Sequence, residues 1–263
     1  MKCWFGSRVV TLAALSFTWC AAAAVAGQTT AAYVPPRTAD GQPDLQGVWQ
    51  VLNTAAWDIE DHNARLDVTA GQGVVQGGPI PYQPGALVKK QENARNRATL
   101  DTESKCHMPG VPRITYMPHP FQIVQQQDKI TVLYEHLGVV RFLYMNGNVH
   151  PKGPLEWYMG DSRARWEGST LVVDVGHFTD QTWFDRAGNY HSDALHVVER
   201  YTPTGPDHMR YDVTIEDPKV FTRRWTMSMP LYRRQEKNLE LLEHECLAYR
   251  LEEAWDTPNP IPR

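Results

Sequence analysis

FQIVQQQDKITVLYEHLGVVRFLYM, residues 121–145, decides the fold. Apolar residues recur at every second position on either side of Gln127 and Asp128, which is the period of a half-buried strand rather than a helix. The stretch predicts a strand to about Gln126, a turn at Gln127 and Asp128, a strand from Lys129 to His136, a break at Gly138 and a further strand to Met145. The same pattern continues outward. RWEGSTLVVDVGHF (165–178) predicts a hairpin turning at Glu167 and Gly168, and ALHVVERYTPTGPDHMRYDVTIEDP (194–218) another around Gly205 and Pro206. RRWTMSMPLYRR (223–234) and LELLEHECLAYRL (239–251) complete the downstream series. Upstream, DLQGVWQVL (44–52) predicts a short strand with Val48 and Gln50 on one face and Trp49 and Val51 on the other.

Only PGALVKKQENARNRATL (84–100) reads as a helix, opened by a proline, filled with good helix formers and charged on most faces, hence peripheral. Glycine and proline make 52–82 a long loop, and residues 27–45 carry no period and predict a long N-terminal arm. About nine strands joined mostly by short turns predict an all-β, antiparallel up-and-down barrel as a single domain over residues 46–263. Parallel α/β architecture is excluded because almost nothing helical separates the strands. No P-loop, dinucleotide fingerprint or internal repeat is present, and GDS at 160–162 lacks the context of a nucleophile elbow.

The chain opens with Lys2 and Arg8 ahead of an apolar run from Val9 to about Ala24 and a small-residue exit, which predicts a signal peptide over residues 1–26. That run is too short for the roughly 20 residues of a spanning helix. A periplasmic or secreted protein with no membrane span in its mature form is the expectation. The formal net charge is −4, and loss of Lys2 and Arg8 makes it more negative. Without a basic block, nucleic acid is excluded as the main partner. Removing Cys3 and Cys20 leaves Cys106 and Cys246, which in an exported chain most simply form one disulfide, two buried free thiols being the competing reading.

PDLQGVWQ, CHMPGVPR, PFQIVQ, the long block from MGDSRARW to HVVERY and YDVTIEDP resemble a family of exported bacterial proteins frequent in acidobacteria and proteobacteria. That resemblance implies export and implies no particular reaction. GVW at 47–49 is also similar to the GxW stretch that opens the first strand in the calycin group, which includes the lipocalins. This likeness implies a barrel floor plugged by Trp49 with a basic residue, Arg250 the candidate, stacked on it.

A barrel of this size can hold one small molecule, so the chemistry depends on which ionisable groups point inward. In HVVERY, His196, Val198 and Arg200 oppose Val197, Glu199 and Tyr201, and the pattern leaves open which set is inside. His177 shares a face with Val173 and Val175 and is expected inward, and either Glu135 or His136 points in. One functional reading gathers His191, Asp193, His196 and His177 at a barrel mouth: His191 or His196 as general base, Asp193 orienting it, and Arg200 or Tyr201 steadying developing negative charge. His119, Tyr134, His136, Trp183 and Tyr201 would line the pocket. The bland alternative is that these polar residues cap turns and strand ends. His191 and His196 lack the spacing of common zinc sites, and nothing in the spacing specifies further ligands from His119, His136 or His150, so neither a metal nor an organic cofactor is expected. The functional expectation is cofactor-independent acid–base chemistry of isomerase, dehydratase, lyase or cyclase type on a small, largely apolar molecule. A periplasmic carrier using the same pocket is the rival, and an envelope-assembly module a third possibility.

Overall fold

The computed structural model describes residues 1–2, 33–65, 68–147, 149–244 and 246. Almost all of the expected signal segment, and Arg250, lie outside the described residues. Alternation of apolar and polar residues turns directly into alternation of burial. In β4 (Lys129–Tyr134) Ile130, Val132 and Tyr134 are buried while their neighbours are half-exposed, and β8 (His196–Gly205) and β9 (His208–Glu216) repeat the pattern over longer spans. With each fully buried aliphatic or aromatic side chain contributing roughly 1.5–3 kcal/mol, this inward face drives the sheet to close.

It does close. β1 (Gly47–Gln50), β3 (Phe121–Gln125), β4, β5 (Val140–Tyr144), β6 (Asp161–Glu167), β7 (Thr170–Gly176), β8, β9 and β10 (Trp225–Arg233) follow one another around the wall, and β10 pairs back onto β1 through Trp49↔Arg233 and Gln50↔Tyr232. The result is a nine-strand barrel, with the two-residue β2 (Val75–Gln76) added on β10. All contacts around the ring are antiparallel except β5–β6, which meet in parallel at Tyr144↔Arg163. The expected antiparallel meander is therefore broken once. The single helix expected over 84–100 is split into α1 (Pro84–Arg95) and α2 (Arg97–Leu100), because Asn96 leaves helical geometry at φ −110°, ψ 21°. The strand expected over 239–251 is absent from residues 239–244 and 246. Instead this segment runs across the barrel end to Cys246, which is bonded to Cys106 with a Cα–Cα distance of 5.6 Å. Among the described residues no helix is long and apolar enough to cross a membrane.

The register answers the question left open at HVVERY. Val197, Glu199 and Tyr201 face inward, while His196, Val198 and Arg200 face out. Glu199, fully buried on β8, meets Arg141 from β5, and because β6 and β7 lie between those strands the pair bridges the lumen. Arg141 Nε also donates to Ser162 Oγ at 3.0 Å, and the Tyr201 and Tyr211 hydroxyls donate to Glu199 at 3.0 and 2.6 Å. Trp49, Tyr134 and Leu143 are buried with them. Trp49 is buried, its indole N–H donates to Leu45 O at 2.9 Å, and the guanidinium over its ring, at 4.3 Å, belongs to Arg233.

Candidate metal centre

The site lies outside the lumen, where the β3–β4 pair ends. His119 precedes β3 by two residues and His136 follows β4 by two, and since Phe121 pairs with Tyr134 the two histidines come from the same end of the sheet. His119 is held between Pro118 and Pro120, with its N–H on Met117 O at 2.7 Å. His136 sits in a tight turn in which Leu137 and Gly138 are both left-handed (φ 59° and 60°). A leucine in that conformation costs on the order of 1 kcal/mol or more and must be held by its surroundings. Here Gly138 N donates to Glu135 O at 3.1 Å, and Leu137 N donates to His244 Nδ1 at 3.1 Å. His244 arrives on the C-terminal crossing segment, anchored by the disulfide and by Leu242 N on Glu135 Oε2 at 2.9 Å.

His119, His136 and His244 form a triangle, with ring centroids 5.2, 4.6 and 4.9 Å apart and candidate ligand nitrogens within 4.8 Å of one another. His136 is only 4% exposed, yet both its ring nitrogens lack a hydrogen-bond partner. Burial pushes its imidazole down to about 3; Glu103 pulls the other way and is outweighed, and His119 and His244 add to the lowering. Burial, then His119, likewise lowers His244. Three converging imidazoles, one of them with both ring nitrogens unpartnered, are the donor set of a divalent transition ion. The hydrogen bonds select the ligand atoms. His119 Nδ1 lies 3.3 Å from Glu135 Oε1, so it donates there and leaves Nε2 free, the carboxylate–histidine arrangement common behind metal ligands. His244 would ligate through Nδ1, releasing Leu137 N, because ligation through Nε2 would set two N–H groups against each other. Reaching Zn–N bonds of about 2.0–2.1 Å requires the rings to draw inward.

Beneath the triangle is a fixed charge layer. Arg113, buried, donates to both Asp101 oxygens at 2.8 Å and to Glu103 at 3.3 Å. Arg186, from the β7–β8 connection, donates twice to Glu103 at 2.8 Å and lies 4.1 Å over the Trp57 ring. Burial alone would raise the Glu103 carboxyl, but Arg186 and Arg113 outweigh it and hold it at about 2. The histidines, with Asp101, Glu103 and Arg186 of this layer, line a cleft of about 490 Å³, to which Arg97, Met117 and Pro118 also contribute.

Of the residues expected to act, only His119 and His136 line this cleft. His191 is buried against Phe178 and Phe184; Nδ1–H donates to Ser192 O at 2.9 Å and Nε2 accepts from the Thr182 hydroxyl at 2.7 Å, so both nitrogens are satisfied. Burial lowers its pKa. Asp193 does not orient it: the carboxylate is exposed and pairs with Lys219. His196 and Arg200 lie on the outer wall, bonded to Asp174 at 3.1 Å and Glu167 at 2.9 Å, because the strand's inward parity falls on Val197, Glu199 and Tyr201. His177, expected inward, turns outward at φ 62° and contacts Leu155 O at 3.0 Å. Tyr134 and Tyr201 are buried on the inward faces of their strands, and Trp183 is packed away at 7% exposure. The cleft that His119 and His136 line lies at the end of the barrel.

His244, Glu103, Arg97 and Arg186 were not foreseen. The signal that could have found His244 was the disulfide, since joining 246 to 106 carries 244 to the neighbourhood of Glu103. Comparison with known protein families, with curated proteins and with solved structures finds no match. What is shared with the calycin-like expectation is the closed, mostly antiparallel barrel.

Proposed function

We propose that the chain is an exported metal-dependent enzyme that binds one divalent transition ion, zinc first, on His119, His136 and His244 and carries out hydrolytic or lyase-type acid–base chemistry on a small molecule. The observation that carries this reading is His136: a buried imidazole with both nitrogens unpartnered, facing two further histidines. Leaving such a group unsatisfied costs about 1–3 kcal/mol, which a structural histidine would avoid. Three protein nitrogens and an open cleft match catalytic rather than structural zinc sites, where the remaining position holds water whose pKa the ion lowers to about 7. Glu135 would fix the His119 tautomer, and the Arg113–Asp101–Glu103–Arg186 layer would hold the cleft rigid. The disulfide supports an oxidising compartment, in keeping with export through the first 26 residues. The Arg233 guanidinium over Trp49 supports counting the barrel among calycin relatives.

The test is zinc titration of the stripped, disulfide-intact protein against a chromophoric chelator, with elemental analysis. One equivalent at submicromolar Kd is expected, and its loss in His136→Ala with an unchanged circular dichroism spectrum. A folded protein that takes up no stoichiometric zinc, copper, nickel, iron or cobalt would refute the metal. The His119–Glu135 contact supports a second reading, cofactor-free general-base catalysis by that pair. It would show as turnover that survives chelation and is lost in Glu135→Gln.

A further inference from the structure

Most of the charged groups around the cleft already have a partner. Arg113 is matched by Asp101, Arg186 by Glu103, and the His119 N–H by Glu135. Arg97, at the start of α2, reaches the same cleft, and among the described residues its guanidinium has no ion-pair partner. A second, smaller hollow alongside is lined by Arg65, Arg97 and Arg186, so Arg97 lies where the two meet, next to another guanidinium at Arg186. Arg65 is 3.9 Å from Asp58 and half-exposed, a weak pairing. An anion held by Arg97 would give its guanidinium a partner, and a divalent ion on the histidines would add positive charge to the same cleft. Trp57, stacked under Arg186, together with Met117 and Pro118 supplies apolar lining to the same cleft.

We propose that the substrate is a small organic anion. This rests on the metal reading and extends it: the carboxylate or phosphate oxygens of the substrate are held by Arg97, its apolar body lies against Trp57 and Met117, and its reacting group reaches the ion on the histidines. Arginine's planar fork suits either oxyanion, and the volume of about 490 Å³ suits one ligand of modest size. Arg97 would be a specificity residue rather than part of the reacting centre.

The experiment is calorimetric titration of the zinc-loaded protein with benzoate, phenylphosphonate and benzamide, matched in ring but not in charge, repeated on Arg97→Gln and on the zinc-free protein. At least one anion should bind about tenfold or more tightly than benzamide, as charge-assisted pairing predicts, and Arg97→Gln should remove that advantage while keeping one zinc. Which anion binds better separates a carboxylate from a phosphate substrate. Equal binding of benzamide, or an advantage that persists in Arg97→Gln, would overturn the proposal. Failure of the metal reading would be seen separately, as absence of zinc uptake with an Arg97-dependent preference intact in the zinc-free protein.

Discussion

Replacing Glu199 by Gln removes one charge from the middle of the barrel and little else. The amide is nearly isosteric, and its oxygen still accepts from Tyr201 and Tyr211, whose hydroxyls are kept protonated by burial and by the neighbouring carboxylate. What is lost is the counter-charge of Arg141, a guanidinium 3% exposed whose other side-chain partner is the neutral Ser162. Breaking a buried pair from one side typically costs about 3–5 kcal/mol, since the remaining ion stays desolvated. For a domain of this size that corresponds to a fall in melting temperature of roughly 6–20 °C. Differential scanning calorimetry and urea denaturation of Glu199→Gln should show it. The companion variant Arg141→Met with Glu199→Gln carries no charge in the lumen and should recover at least half of the loss. If Glu199→Gln costs less than about 1 kcal/mol, or the double variant is no more stable than the single, the bridging pair is not what its burial implies.

Three further outcomes are expected. Because His244 is tied down chiefly by the disulfide and one backbone contact with Glu135, Cys246→Ser should weaken zinc binding about tenfold or more by loosening one ligand of three, read by chelator competition. His191→Ala should destabilise by roughly 2–4 kcal/mol through its cavity and the unpaired Thr182 and Ser192 groups, yet leave zinc stoichiometry unchanged; loss of zinc with stability intact would reverse that assignment. On the outer wall, Asp174 raises the pKa of His196, and His196, then His150, hold Asp174 down to about 2 against its partial burial. The His196 contribution is full below its ordinary 6.5 and lost as pH rises through its raised value, whereas that of Asp174 is full above 3.8 and lost as pH falls towards about 2. The stability difference between the wild type and His196→Asn should therefore peak between about pH 4 and 6.5, stay under about 1 kcal/mol for so exposed a pair, and fall away as pH rises through the raised His196 value; a difference that grows with pH would contradict it.

Most of the barrel was legible because period-two alternation reports burial directly: the hairpins at Glu167 and Gly205 fall where they were expected. Alternation cannot say which strands face each other across a lumen, so Arg141 and Glu199, far apart in sequence, gave no sign of meeting. Nor can it separate α1 from α2, since alternation says nothing of the exposed Asn96, whose side-chain amide donates to Glu92 O at 3.1 Å. The candidate site was half visible. His119 and His136 read from the sequence as lining residues, whereas the polar density of HSDALHVVER suggests catalysis in a stretch that, with its neighbours, is consumed by structure: Asp185 accepts from the Ile59, Ala187 and Asn189 N–H groups, and Asp217 from Ser192 and Lys219. Polar crowding marks equally a site and a loop that must satisfy its own backbone. The ligand triangle draws on three remote segments with no local spacing to betray it.

The lone parallel contact between β5 and β6 is a matter of parity. A ring in which every neighbour runs antiparallel needs an even number of members, and this ring has nine. One pair has to run the same way, and the chain sets it where residues 145–160 are available to carry it back from one end of the barrel to the other. A hairpin of two to five residues cannot make that return, because a parallel connection needs about a dozen. Shortening 145–160 to a tight turn is therefore incompatible with nine members: the barrel would have to shed a strand or recruit one, and every register downstream of Tyr144 would be reassigned.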